Sequence, residues 1–274
     1  MADIVSEQPT PLARPKPEPS VSRRKFAIAY LVLAAIVGAA VGLVVVFASD
    51  DNGKSTNGAA WSAWRPASTG TLGVREIARH VSPDYRLSNG ALMTSVIAGP
   101  MVVPSAQGAI PVTAILIRSG SAGVREQRID VAFPEAGVFY QQCGLAAGCS
   151  IPGTSTIARG QLVRRQAVEL GLYTFHYLPQ TDYVLAFIPP PPGISQTNPN
   201  YQRALFMPRA AFADQLSKPL SATIKPLDKA VEPGGLPTGQ GTLIDGLTAG
   251  RIFHYDFQQG VGQGALIVLS PIES

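Results

Sequence analysis

Residues 26 to 48 read FAIAYLVLAAIVGAAVGLVVVFA and hold no charged side chain. At about 1.5 Å per residue a helix over this run is roughly 35 Å long, enough to cross a hydrocarbon core of about 30 Å. The run predicts one transmembrane helix, so the rest of the chain reads as a body tied to a lipid bilayer. The best later apolar run, residues 265 to 272, is short and contains Ser270 and Pro271.

The flanks give the orientation. Arg14, Lys16 and the cluster Arg23-Arg24-Lys25 precede the run, and Asp50 and Asp51 follow it. Lys and Arg resist translocation, which predicts an N-terminus inside the cytoplasmic membrane and a C-terminal domain outside it. A cleaved signal peptide competes with this reading, but its apolar region is usually about 7–15 residues. Ser22-Arg23-Arg24-Lys25-Phe26 also fits a twin-arginine export signal. Retention as a signal-anchor accounts better for so long an apolar run. No Cys lies near it to carry a lipid. Within the run Ala34, Gly38 and Gly42 recur every four residues and share one helix face, which predicts packing of the span against a second copy.

Composition divides the remainder. Residues 1–25 are rich in proline and poor in aliphatic residues, and are expected to form a disordered cytoplasmic tail. Residues 49–60, SDDNGKSTNGAA, read as a flexible tether. Residues 61–274 are long enough for a core of their own. The formal net charge is +4, but the cations are scattered and Arg164-Arg165 is the one doublet in the body, so nucleic acid is not an expected partner.

The two cysteines, Cys143 and Cys149, sit in QQCGLAAGCS. Outside the cytoplasm so close a pair predicts a disulfide. Their spacing differs from a Cys-x-x-Cys redox motif, and no His or carboxylate stands beside them at metal-ligand spacing.

The patterning of 61–274 predicts an α+β domain, mostly antiparallel sheet with two or three helices. Helices are expected at 71–81, ending before Pro83, at 155–170, with Ser155 or Thr156 as N-cap and Gly171 beyond the end, and at 209–216. Strands are expected at 92–103 with a break at Gly99-Pro100, and at 112–117, 128–133 and 183–188. Further strands are expected at 203–207, 221–224, 251–257 and 265–269. Pro189 to Pro192 read as a short polyproline spacer. An offset of about 91 aligns Tyr85-Arg86-Leu87 with His176-Tyr177-Leu178, and Ile97 to Pro100 with Ile188 to Pro191, which suggests an internal duplication.

Chemistry is sparse. His80, His176 and His254 are far apart, and no metal or cofactor site is expected. His254 and Asp256 alternate along a strand and share a face, so a carboxylate there can orient an imidazole. The candidate nucleophile, Ser121, lacks the first glycine of a nucleophile elbow. Gly260 to Gly264 precede a strand and read as a turn, not a phosphate loop. Trp61 and Trp64 follow the tether. They pin the chain to the core, sit at a lipid interface, or form a candidate partner patch.

Two functions follow as expectations. The first is a non-enzymatic, single-pass binding or assembly protein of a bacterial cell envelope, with the bilayer, other envelope proteins or its own span as partners. The alternative is an anchored envelope hydrolase or carbohydrate-active enzyme using His254 and Asp256.

Overall fold

The computed structural model describes residues 60–105, 108–119, 125–227, 236–259 and 264–272. The tail, the apolar run with Ala34, Gly38 and Gly42, and the tether up to residue 59 lie outside them. Among the described residues no helix is long and apolar enough to cross a membrane.

The sheet dominates. Among the described residues it has nine strands: β1 (Thr94–Ala98), β2 (Val102–Ser105), β3 (Gly108–Ser119), β4 (Arg125–Asp130), β5 (Gly137–Gly144), β6 (Tyr183–Ile188), β7 (Arg203–Pro208), β8 (Ile252–Gln259) and β9 (Ala265–Pro271). Their order is β1-β5-β6-β7-β8-β9-β3-β2, with β4 also paired to β3, and the sheet curls into a half-barrel. The helices are α1 (Gly70–Val81), α2 (Ile157–Tyr177), α3 (Ala213–Leu216), α4 (Leu220–Thr223) and α5 (Gln240–Thr248).

This corrects the expected α+β domain: one curled, continuous sheet with few helices dominates the described residues. Most of its pairings are antiparallel, but β5 runs parallel to β6 and β3 parallel to β9. Helix α2 is the crossover that the first parallel pair requires. The duplication fails on the same topology. Strands β6 to β9 form one contiguous run, whereas β1 and β5 lie at one end of the sheet and β2, β3 and β4 at the other.

Alternation along the strands builds two cores. Val184, Ala186, Leu205 and Met207 face the helices, while Leu185, Phe187, Ala204 and Phe206 face the inside of the curl. Burying each large side chain of this kind contributes about 1.5–3 kcal/mol.

Several expected elements shift for identifiable reasons. Helix α2 is capped by Thr156, whose hydroxyl accepts from the Arg159 amide at 3.1 Å. It runs through Gly171 instead of stopping there. A Cβ at Gly171 would lie 3.0 Å from the Met207 Sδ, so the glycine lets the helix sit close on β7. Residues 221–224, expected as strand, lie largely in the single turn α4, held where the Leu220 amide donates to the Trp61 carbonyl at 2.8 Å. Gly239 takes the left-handed conformation at φ +81° just before α5.

Candidate functional site

Four strands reach the same end of the sheet. Ile188 pairs with Arg203, Arg203 with His254, and Phe253 with Pro271, so the end of β6, the starts of β7 and β8 and the end of β9 lie together. The first turns of α2 cross above them. Between the two layers lies a groove of about 380 Å³. Ile151, Val163, Ile188, Ile252 and Ile272 give it an apolar floor, and Pro189 to Pro192 with Tyr201 close one side.

Among the described residues, Arg159, Arg164 and Arg203 line the groove and no Asp or Glu does. All three are half-buried. Arg159 donates to the Pro152 carbonyl at 2.8 Å and Arg203 to the Gln202 carbonyl at 3.1 Å. Arg164 pairs with Asp245 at 2.6 Å, from outside the lining. A carbonyl bond holds the Arg203 guanidinium in place without removing its charge, whereas Asp245 balances the charge of Arg164. Beside the groove, Ile157 is 83% exposed in the first turn of α2, and Tyr201 and Ile272 are also exposed.

The disulfide buttresses this end. Cys143 and Cys149 are joined, with Cα atoms 4.5 Å apart. The loop they close contacts the segment after the prolines, where the Gly148 carbonyl accepts from the Gln196 amide at 2.8 Å. Gln141 Nε2 donates to the Gln196 Oε1 at 2.9 Å beside it.

The tryptophans lie elsewhere, toward the far end of α2. Trp61 stacks on His176 at 4.1 Å and Trp64 on His80 at 4.0 Å, and both meet Tyr173 edge-on. The Tyr177 hydroxyl donates to the Trp64 carbonyl at 2.9 Å. This packing pins the start of the domain onto α2; the aromatic faces are used within the chain. Burial pushes the His80 and His176 imidazoles below their usual range. A Coulombic pull from Asp84 opposes that for His80, and the Arg209 charge adds to it for His176. From His176 to Arg159, α2 spans about 25 Å, so the groove stands well away from the point where the chain joins the domain.

His254 and Asp256 do not act on each other. The His254 Nε2 bonds the Pro199 carbonyl and the Asp256 Oδ1 accepts the Phe257 amide at 2.8 Å. Ser121 lies outside the described residues. Among the described residues no three His, Cys, Asp or Glu side chains gather as a metal site would need. Sequence reading singled out the prolines as a spacer and treated the arginines as scattered; only the α2 crossover brings Arg159 and Arg164 to Arg203. No protein-family model, no curated protein and no solved structure matches the chain.

Proposed function

We propose that this chain is a single-pass membrane-anchored binding protein of the bacterial cell envelope, with its folded domain outside the cytoplasmic membrane. The apolar run and its basic leading flank support the anchor and its direction. The observation that carries the binding role is the apolar groove lined, among the described residues, by three guanidiniums and no carboxylate. Arginine and tyrosine around an apolar centre are the residues that dominate protein interfaces. The partner that complements the groove is a protein segment with aliphatic or aromatic residues flanked by Asp or Glu. The distance of the groove from the tether end of α2 favours a protein partner over the lipid surface itself.

The test is photo-crosslinking in intact membranes. A photoreactive residue replaces Ile157, beside the groove, in the full-length chain. A second variant carries it at Leu72, which is 61% exposed on α1. A discrete protein adduct from position 157 and none from position 72 is the expected result. Adducts of equal yield from both positions, or none from 157, would overturn the proposal.

A further inference from the structure

Among the described residues the sheet has three edge strands, and two of them are guarded. Strand β2 carries Pro104, which has no N–H to donate to an added strand. Strand β4, REQRID, is mostly charged, with Arg118 and Glu126 paired at 3.0 Å and Arg128 and Asp130 at 2.9 Å. Proline and charge both stop an edge from taking up another strand. Strand β1, TSVIA, has neither. Among the described residues it pairs with β5 on one side and with no strand on the other. Ser95 is exposed, and Ile97 is 38% exposed. We infer that this edge is where the folded domain pairs with a second copy of itself, strand to strand across a two-fold axis.

The sequence of the edge is the first ground for that occupant. Two β1 strands set antiparallel about Val96 place Thr94 opposite Ala98 and Ser95 opposite Ile97, so no charge meets another. Each strand offers the other its outer row of backbone N–H and C=O groups. Such a contact uses the same patch on both copies and closes at two, leaving no β1 edge for a third.

The second ground is place. Ala98, the last residue of β1, pairs with Tyr140, whose hydroxyl lies 2.7 Å from the Thr174 Oγ1 of α2. Thr174 adjoins Tyr173, the ring that Trp61 and Trp64 both meet edge-on. The edge therefore runs toward the point where the chain enters the domain, whereas the groove stands away from it. The inference rests here on the anchored reading given above. A tether over residues 49–60 reaches roughly 20 Å, so two copies whose spans pack along Ala34, Gly38 and Gly42 hold the first residues of their domains within roughly 40 Å of each other. The second pairing is then intramolecular in effect, and the high effective concentration makes an edge of 5 residues sufficient.

The test uses the full-length chain in native membranes, with a photoreactive residue in place of Ile97. The expected adduct contains two copies of this chain. The same residue in place of Gln127, on the guarded edge of β4, is expected to give about tenfold less of it or lower. Ser95→Lys changes an exposed side chain and is expected to cut the yield from position 97 by about tenfold, with the urea midpoint unchanged. Co-expressed Ser95→Lys and Ser95→Glu chains are expected to restore it, since the two side chains are diagonal neighbours across the axis. An adduct with a different protein, no adduct, equal yields from positions 97 and 127, or a yield unmoved by Ser95→Lys would overturn the inference. Resistance to carbonate extraction reads the anchor by itself. Loss of the adduct from chain that stays in the membrane counts against the edge alone, and release by carbonate removes the anchored reading and this inference together. The adduct formed from position 157 reads the groove and does not depend on the edge.

Discussion

Replacing Arg165 by Met is the sharpest probe of the fold. The guanidinium sits on α2 with Glu169 one turn later, and it links that carboxylate, the Tyr85 hydroxyl and the Lys225 carbonyl. Met fills much of the same volume, so the loss is electrostatic more than steric. Removing one member of a buried pair costs about 3–5 kcal/mol, because the other charge stays buried without compensation. Glu169 has an escape: burial already raises its pKa against the lowering by Arg165, and without the arginine it takes up a proton. A carboxyl whose folded pKa lies above its unfolded value of 4.5 keeps that stability below pH 4.5 and loses it as pH rises through the folded value. Arg165→Met is therefore expected to be more destabilising at pH 8 than at pH 5. Arg165→Met with Glu169→Met replaces the pair by apolar groups. It is expected to recover most of the loss, leaving about 1 kcal/mol for an unpaired Tyr85 hydroxyl. Urea unfolding of the full-length chain in mild detergent measures this, since both tryptophans, Trp61 and Trp64, report on the domain. A cost below about 1 kcal/mol for the single variant, or a double variant no better than the single, refutes the reasoning.

Four further changes test other parts. Gly148 has φ +68° and a Cβ there would lie 2.7 Å from the Ser195 Cα, so Gly148→Ala is expected to cost about 1–3 kcal/mol. Gly246→Ala, in the exposed middle of α5 with open space around it, is expected to stabilise by about 0.5–1 kcal/mol under the same urea assay. Replacing both cysteines by serine removes a short closed loop and is expected to cost about 2 kcal/mol, read as a lower denaturation midpoint at unchanged slope. His80 and His176 both have folded pKa values below their usual 6.5. Their neutral forms stabilise the fold fully above pH 6.5, and that stability is lost as pH falls from 6.5 through the folded values. Melting of the wild type is expected to drop more between pH 7.5 and 5.5 than melting of His80→Phe with His176→Phe; equal drops contradict this.

The elements that could be read from sequence are those where one local signal decides. Helix α1 shows an apolar stripe and stops ahead of Pro83. Strand β6, YVLAFI, is a short apolar run closed by prolines. Strand β5 had no such signal, because Gln141 and Gln142 interrupt its apolar pattern. In the fold Gln142 is buried and its Nε2 donates to Gln166 Oε1 at 2.7 Å and to the Val163 carbonyl at 3.0 Å. Without β5 the parallel pairing with β6, and with it the single mixed sheet, could not be inferred. The sequence ends α2 before Gly171, because a glycine reads as a stop wherever a close neighbour such as Met207 is unseen. The groove suffered most. Its arginines are dispersed along the chain, and the electrostatic feature exists only once α2 crosses over the strand ends. Trp61 and Trp64, by contrast, were visible, and their use was decided by the His176 and His80 rings beneath them.

The account stands most directly on the yield of the protein adduct formed from position 157 in intact membranes. That yield is to be compared between the otherwise native chain and the same chain carrying Arg203→Glu, at equal protein level. Reversing a groove cation places a carboxylate against an acidic partner, and the adduct is expected to fall by about tenfold or more. The same yield with and without Arg203→Glu would contradict the claim that this groove is where the protein binds.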